Sequence, residues 1–244
     1  MDAVIVAFAS GKGGTGKSTT SVLVGGALAA QGKKVLLLEL DSGLRSVDII
    51  AGVSGQTVYD IQDVLSGRCE PGKAVVPSPR YEGLCLISAP YSGGVITTKA
   101  LRVMCNKMSP YFDFILIDTA AGLGDAFRAA AGVAQRIFLV LTPDPVALRD
   151  GRIIADELVG EYRQVRVIFN RVDAKKLLKD GFVRDLDEAI DIVGIQLLGV
   201  VPESTLIARA ALNGRALPKN SQETAVYNAI AQRIIGRDVP LVIY

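Results

Sequence analysis

The stretch "VIVAFASGKGGTGKST", residues 4–19, decides the fold of this chain. It opens with an apolar run of strand length, passes through a glycine-rich loop and leads into a segment that predicts a helix. The loop, residues 11–18, has the spacing G-x-x-x-x-G-K-S of a phosphate-binding P-loop in the strand-loop-helix setting that this motif requires. A glycine-rich turn without a ligand is the alternative, and the complete pattern in this setting disfavours it.

Further apolar runs of strand length follow along the chain, separated by segments long enough for helices. Their hydrophobicity is continuous rather than alternating, which is typical of parallel strands covered on both faces. We therefore predict an α/β fold, a doubly wound, mostly parallel sheet with helices on both faces, in a single domain over residues 1–244. The predicted strands are 4–10, 35–40, 84–90, 114–118, 136–142, 165–170 and 197–202, and the predicted helices include 17–31, 97–108, 146–160 and 221–235.

The composition excludes several classes of protein. The formal net charge is +2 with acids and bases interspersed, so no nucleic-acid site is indicated. There is no histidine, which excludes Ser-His-Asp triads and histidine-ligated metals, and the three widely spaced cysteines predict neither a disulfide framework nor a zinc site. This cysteine usage fits a reducing cytosol, so we expect a cytoplasmic protein. The apolar start has no basic flank and predicts a strand rather than a signal peptide. Residues 173–191, basic and then acidic, predict a solvated loop and helix.

The P-loop residues have distinct chemical tasks. Glycines allow backbone N–H groups to converge on phosphate oxygens, and the helix N-terminus adds positive potential. Lys17 neutralises the β and γ phosphates, and Ser18 offers a hydroxyl to Mg²⁺. The loop residues predicted to bind the nucleotide are Gly11, Gly13, Gly14, Thr15, Gly16, Lys17 and Ser18.

The strand-end sequence "FILID", residues 114–118, supplies the acid that a magnesium site needs. Asp118 is predicted to hold Mg²⁺ directly or through water. Gly122, four residues later, is predicted to present its backbone N–H to the γ phosphate. The alternatives are an aspartate that caps the following segment and a plain turn glycine.

A second strand end, "LLLELDSGLRSVD" (36–48), carries three more acids. Asp41 is the candidate to orient or activate the attacking water, because the chain has no histidine for this task, and it could also reach the metal through water. Strand alternation places Glu39 on the same side as Asp41, where it could approach the phosphates or the metal, and a buried carboxylate satisfied by the Lys17 region is the alternative. Asp48 is either part of a nucleotide-sensing switch or a helix-start acid.

Lys12 is not required by the P-loop pattern. With it, "KGGTGKS" (12–18) resembles the deviant Walker A family, the MinD/ParA class of P-loop ATPases. The segment "DSGLRSVDIIAG" (41–52) is similar to the first switch of the MinD branch rather than to that of ParA, which continues Asp-Pro-Gln. The resemblance extends over nearly the whole chain through "TVYDIQDVLSG" (57–67), "FDFILIDTAAG" (112–122), "PDPVALRD" (143–150), "FNRVD" (169–173) and "LLGVVPES" (197–204).

The resemblance implies an ATP-dependent homodimer that binds ATP or ADP with Mg²⁺. Lys12 would then reach across the dimer to the phosphates bound by the other subunit, as an arginine finger supplied in trans does. Lys12, Lys17 and Asp41 would be the catalytic residues, and Thr19 would contact the α phosphate.

Three positions farther along the chain take their roles only from the resemblance. Asn170 would hydrogen-bond the adenine and select ATP over GTP, although a turn asparagine is the alternative. The backbone near Pro202 would pack against the base. Asp144 would lie at the dimer face near the partner's nucleotide, with a plain surface acid as the alternative.

The chain also departs from the family pattern. Glu39 stands where MinD-like proteins usually carry aspartate, so the metal surroundings are expected to differ in detail. The helix predicted at 221–235 has apolar positions suited to docking on the core and little basic character, so membrane binding is not expected from it. Cys69, Cys85 and Cys105 do not match the iron-sulfur ligands of some relatives.

The resemblance implies an ATP-hydrolysing dimeric switch, slow by itself and stimulated by a protein partner, in spatial regulation of cell division. It would be cytoplasmic, or peripheral to the inner membrane if a partner or further tail recruits it. A flagellar-placement or ParA-type partitioning ATPase is an alternative in the same family. A P-loop ligase or kinase similar to dethiobiotin synthetase and a nucleotide-gated scaffold without hydrolysis are alternatives of other classes.

Overall fold

A computed structural model describes residues 2–42, 45–90, 93–158, 164–173 and 183–242. Its centre is an eight-stranded sheet in the order β3-β4-β2-β5-β1-β6-β7-β8, in which every neighbouring pair is parallel except β3 with β4. The strands are β1 Val4–Ala9, β2 Val35–Glu39, β3 Val76–Pro77, β4 Leu84–Ile87, β5 Phe114–Asp118, β6 Arg136–Leu141, β7 Gln164–Val172 and β8 Leu197–Pro202.

The predicted fold class is confirmed, and each predicted apolar run contains a strand. Strand β3 was not predicted, because two residues at an edge carry no periodicity that a sequence pattern can detect. The helices are α1 Lys17–Ala30, α2 Ser46–Ala51, α3 Ile61–Leu65, α4 Pro71–Ala74, α5 Thr98–Met108, α6 Asp125–Val133, α7 Pro145–Leu158, then Leu186–Val193, Thr205–Leu212 and Gln222–Ile234, with a 3₁₀ turn at Ser109–Tyr111.

Two predicted segments extend past the described residues. The helix predicted at 146–160 is found as α7, with residues 159–160 outside the described part of the chain. Of the solvated loop and helix predicted at 173–191, residues 174–182 also lie outside it, and the helix Leu186–Val193 follows. No helix within the described ranges is long and apolar enough to cross a membrane.

Side chains from alternate strand positions enter two separate cores, one on each face of the sheet. In β1, Ile5 and Ala7 belong to one core, and Val6 and Phe8 belong to the other. Helices α3, α5, α6 and α7 cover the first face, whereas α1 and the helix Gln222–Ile234 cover the second. This two-sided burial is the reason that the strands read as continuous apolar runs.

The sheet order places β1 between β5 and β6, with β2 on the far side of β5. In β1 and β5 the registered partners at the carboxyl end are Phe8 and Asp118, and Glu39 of β2 is registered with the same aspartate. The loops that leave β1, β2 and β5 therefore emerge side by side at one edge of the sheet. In doubly wound folds this edge is where ligands bind.

Candidate functional site

The loop between β1 and α1 has the backbone shape of a phosphate cradle. Gly14 and Gly16 have φ angles of 82° and 85°, a left-handed conformation that favours glycine. A Cβ atom added at Gly13 or Gly14 would meet no atom within 4 Å, so this side of the loop is open space. The loop thus leaves room for a phosphate group above its backbone and directly before the N-terminus of α1.

Gly16 is also fixed by a close neighbour from β7. The Nδ2 atom of Asn170 donates a hydrogen bond of 2.7 Å to the carbonyl oxygen of Thr15, and a Cβ atom at Gly16 would lie 2.2 Å from that nitrogen. The pairing of β7 with β8 shifts register between Phe169 and Val172, and this irregularity occurs where Asn170 meets the loop. Asn170 therefore lies at the P-loop, with only 6% of its surface exposed. Its contact with adenine stays a prediction.

Lys17, Ser18 and Asp118 form the centre of the site. The Nζ atom of Lys17 lies 2.9 Å from Oδ1 of Asp118, and the Ser18 hydroxyl donates a 2.6 Å hydrogen bond to Oδ2. The Lys17 side chain is 7% exposed and the Asp118 side chain is fully buried. Because a buried charge requires a partner, the lysine and the carboxylate neutralise each other here.

The donor set around Asp118 suits Mg²⁺. Carboxylate and hydroxyl oxygens are the ligands that this ion prefers, and it normally keeps waters and phosphate oxygens in its shell. The described residues gather no group of three acidic, cysteine or histidine side chains that could hold a metal by themselves. A magnesium ion at Ser18 and Asp118 would therefore depend on the nucleotide for part of its coordination.

Asp41 follows β2 at the same edge and is half-buried. Burial raises the pKa of its carboxyl above the usual value, attraction to Lys17 lowers it, and repulsion from Asp118 raises it again. The net pKa shift is upward. This electrostatic coupling places Asp41 within the influence of both central charges, and its role toward water stays a prediction.

Glu39 has different partners from those that the sequence suggested. Its side chain is fully buried, and its carboxylate accepts hydrogen bonds from the backbone N–H groups of Val47, at 3.0 Å, and Ala89, at 3.4 Å. The alternative that the Lys17 region satisfies this carboxylate is therefore wrong, because Lys17 pairs with Asp118. Burial raises the pKa of Glu39 to about 8, which the two backbone hydrogen bonds only partly offset.

Asp48 lies at a helix start, which is one of its two predicted settings, and its role in a nucleotide-sensing switch stays a prediction. It lies in the first turn of α2 and is buried, forming an ion pair of 2.8 Å with Arg45 and accepting a short hydrogen bond from the Ser88 hydroxyl. Arg45 is itself buried and has a positive φ of 45°. Sequence reasoning missed Arg45 and Ser88, because neither carries a local motif. Together with Glu39 they join the loop after β2 to the loop after β4.

Lys12 is held by Asp144 of the same chain. Its Nζ atom lies 2.9 Å from each carboxylate oxygen, and the two side chains are 35% and 37% exposed. Asp144 also accepts hydrogen bonds from the Thr142 hydroxyl and from the Ala147 amide in the first turn of α7. Burial by itself would raise the pKa of Asp144, but these hydrogen bonds and Lys12 outweigh it and lower the pKa. No sequence motif predicted this pairing.

The remaining predicted residues lie around the same edge. Gly122 has a φ of 83°, and its N–H donates to the Ser10 carbonyl at 2.8 Å, so a γ phosphate would have to replace that acceptor. Gly11 packs against α7, where an added Cβ would lie 2.4 Å from Cβ of Asp150. Thr19 lies half-buried in the first turn of α1, and Pro202 ends β8 beside β7. Their predicted contacts with the nucleotide stay predictions.

Comparison with known proteins is consistent with this geometry. Residues 6–217 match the family model described as the CobQ/CobB/MinD/ParA nucleotide binding domain. The septum site-determining protein MinD of Bacillus subtilis is 34% identical over 97% of this chain and 90% of its own length. A chain of the MinC:MinD cell division protein complex of Aquifex aeolicus is 32% identical with a TM-score of 0.90, covering 99% of this chain and 100% of that one. MinD of Pyrococcus horikoshii, solved with Mg-ADP, has a TM-score of 0.84 at 23% identity and covers 96% of each chain.

Proposed function

Because the chain belongs to the MinD branch of the CobQ/CobB/MinD/ParA nucleotide-binding family, we propose that it is an ATP-hydrolysing dimeric switch in the spatial regulation of cell division. ATP with Mg²⁺ is the proposed ligand. In the proposed cycle, two subunits form a dimer when ATP binds and dissociate after ATP is hydrolysed. A protein partner is proposed to bind the dimer and to stimulate hydrolysis. The MinC:MinD complex of the Aquifex aeolicus relative supports a protein partner.

The observation that carries the proposal is the presence of two lysines at one phosphate cradle with different surroundings. Lys17 is buried against Asp118, whereas Lys12 is about one-third exposed at the rim of the site. A P-loop that served only one subunit would need Lys17 alone. A second, solvent-accessible lysine next to the cradle is suited to reach phosphates that another subunit binds.

Nucleotide binding requires an exchange of partners at the centre of the site. The β and γ phosphates would take the Lys17 ammonium from Asp118, and the Asp118 carboxylate would then be free to ligate, directly or through water, the ion that the nucleotide carries. Mg²⁺, when bound, would neutralise charge that develops between the β and γ phosphates. Ser18 already donates a hydrogen bond to Asp118, so the two oxygen ligands for the metal lie next to each other before the nucleotide arrives.

Hydrolysis then needs a positioned water and stabilisation of negative charge. Asp41 is proposed to accept a hydrogen bond from the water whose oxygen attacks the γ phosphorus while the bond to the ADP oxygen breaks. Lys12 of the opposite subunit and Lys17 would balance the charge on the phosphoryl oxygens in the transition state. The products are ADP and phosphate.

Two substitutions test the proposal. Lys12→Ala should bind ATP but fail to dimerise and lose nearly all hydrolysis, whereas the exposed Lys219→Ala should behave like the wild type. Asp41→Ala should bind ATP, form a stable dimer and release no phosphate. Light scattering with ATP gives the oligomeric state, and phosphate release gives turnover. Wild-type dimerisation and turnover in Lys12→Ala would refute the cross-subunit role.

The cellular role and the location need a separate experiment. We propose a cytoplasmic protein of the MinD type. The runner-up is a partitioning ATPase that binds DNA, and a putative plasmid partition protein of Borrelia burgdorferi shares the fold at 18% identity. Co-sedimentation of the purified protein with liposomes and, separately, with DNA, each with and without ATP, distinguishes the two. ATP-dependent binding to DNA would favour the partitioning role.

A further inference from the structure

A second surface, on the face of the sheet that α3 and α5 cover, has the features of a binding site for a helix. The surface consists of α3, α4 and α5 with the turn that follows α5, and we call it the α5 groove. It contains two adjoining recesses of about 510 and 310 Å³, both of which are lined by Glu70, Pro71 and Lys107. Two exposed apolar side chains project beside them, Val103 at 53% exposure and Tyr111 at 68%.

The floor of the groove is apolar and adaptable. Met104 and Met108 of α5 line one recess each, and they are 2% and 6% exposed. Methionine side chains are flexible and fill irregular gaps, so they accommodate inserted side chains of different shapes. With α5 eleven residues long, the groove extends for about 16 Å, which suits roughly three turns of a partner helix.

The rim of the groove is basic. Lys99 and Lys107 of α5 line the recesses together with one acid, Glu70, and all three side chains are exposed. Arg102 of the same helix does not line them, because it donates to the Gly132 carbonyl of α6. Lys99 and the exposed Lys73 of α4 form no ion pair within the described ranges. Unpaired cations around an apolar floor favour a partner with acidic residues flanking apolar ones.

One ion pair separates the two recesses. Nζ of Lys107 lies 3.2 Å from Oε2 of Glu70, and the two side chains are 54% and 74% exposed. Exposed pairs of this kind contribute at most about 1 kcal/mol, so a partner carboxylate could replace Glu70 at little cost. The exchange would join the two recesses into one continuous groove.

From these features we propose that the α5 groove binds an acidic amphipathic helix of a partner protein. Its apolar residues, spaced at i, i+3 or i+4 and i+7, would enter the recesses, and its acidic residues would pair with Lys99 and Lys107. The concave recesses distinguish this partner from a membrane surface, which would contact protruding side chains rather than fill cavities.

The groove is also connected to the segment after β2, the strand that Asp41 follows. The backbone N–H of Ile61, the first residue of α3, donates to the Ser88 carbonyl at 2.9 Å, and the Ser88 hydroxyl donates to Asp48 in the segment after β2. Occupancy of the groove should therefore change when ATP replaces ADP. This dependence on nucleotide rests on the proposed function, whereas peptide binding itself does not.

A phage-displayed library of helical peptides with a randomised face tests the proposal on the nucleotide-free protein. Enriched peptides should carry acidic residues flanking apolar ones at helical spacing. Val103→Glu, which changes an exposed side chain, should weaken their binding at least about tenfold, and Lys99→Glu should do the same. The matched control Leu212→Glu alters a side chain that is 77% exposed on another face and should leave binding unchanged.

Three results would overturn the proposal. Enriched peptides without acidic residues would exclude the stated partner chemistry, and peptide binding that Val103→Glu leaves intact would exclude the groove. Binding to phosphatidylglycerol vesicles that Val103→Glu abolishes would assign the face to a membrane instead. If peptides bind as expected but equally well with ATP and ADP, the groove stands and only its link to the proposed switch fails.

Discussion

Substitution of Glu39 by glutamine should reveal the energetic cost of burying a carboxylate at the end of β2. Glu39 has no exposed surface, and burial raises its pKa from 4.5 to about 8. In the folded chain it therefore remains protonated up to this pH, whereas in the unfolded chain it ionises near 4.5. The folded state binds more protons across that interval, so the contribution of Glu39 to stability is lost as pH rises.

The magnitude follows from the same pKa values. Each pKa unit corresponds to about 1.4 kcal/mol, so the pKa change between unfolded and folded Glu39 predicts a loss of roughly 5 kcal/mol between pH 4.5 and pH 8. Glutamine has nearly the same volume and does not ionise, but it has one acceptor oxygen for the two N–H donors of Val47 and Ala89. Near pH 5 the variant should therefore be less stable than the wild type by about 1 kcal/mol.

The assay is urea unfolding of both proteins at intervals from pH 5 to pH 9, in EDTA and without nucleotide. The free-energy difference between wild type and Glu39→Gln should reverse sign and favour the variant by several kcal/mol near pH 8. The exposed Glu157→Gln serves as the control for the loss of a surface carboxylate. Parallel stability curves for wild type and Glu39→Gln would refute the reasoning that Glu39 is buried without a compensating cation.

Three further substitutions test the site. Asp118→Asn removes the carboxylate that forms the ion pair with the buried Lys17 ammonium, so urea unfolding should show a loss of about 3 kcal/mol. Binding of a fluorescent ATP should lose its dependence on magnesium. Gly16→Ala places a side chain at a residue with positive φ and puts its Cβ atom 2.2 Å from Nδ2 of Asn170, so the variant should lose stability and ATP binding. Adding Asn170→Ala removes the clash but not the backbone strain, so thermal unfolding should show that the lost stability is restored only in part. Asp144→Asn removes the ion pair that holds Lys12 within its own subunit. Light scattering should then show ATP-dependent dimers at a protein concentration about two- to fivefold lower than for the wild type, which corresponds to the energy of one exposed ion pair.

The sequence predicted those features that depend on neighbours along the chain. The strand-loop-helix unit around Gly11–Ser18 and the parallel sheet follow from local pattern, because glycine conformations and buried strands have direct compositional signatures. The positions of Asp41 and Asp118 at one edge followed from the topology of parallel strands.

What the sequence did not predict are contacts between side chains distant in the chain. Lys12 and Asp144 are 132 residues apart, and Asp48 and Ser88 are 40 residues apart. Glu39 was placed on the correct edge but given the wrong partner, because strand alternation indicates a face and not which of several donors lies nearest. These pairings depend on loop conformations that no periodicity encodes.

The two lysines differ in how easily a nucleotide can recruit them, and this difference implies an order of events. Lys17 and Asp118 are buried, and separating such charges is costly unless another charge replaces the lost partner at once, so Lys17 should move only as the phosphates arrive with their metal. Lys12 and Asp144 are about one-third exposed, and Asp144 keeps its hydrogen bonds from Thr142 and Ala147 when the lysine leaves. Releasing Lys12 should therefore cost no more than about 1 kcal/mol. We accordingly expect nucleotide binding to move Lys17 from Asp118 to the phosphates within one subunit first. Dimerisation should then bring Lys12 to the phosphates of the other subunit, at the small energetic cost of breaking its ion pair with Asp144.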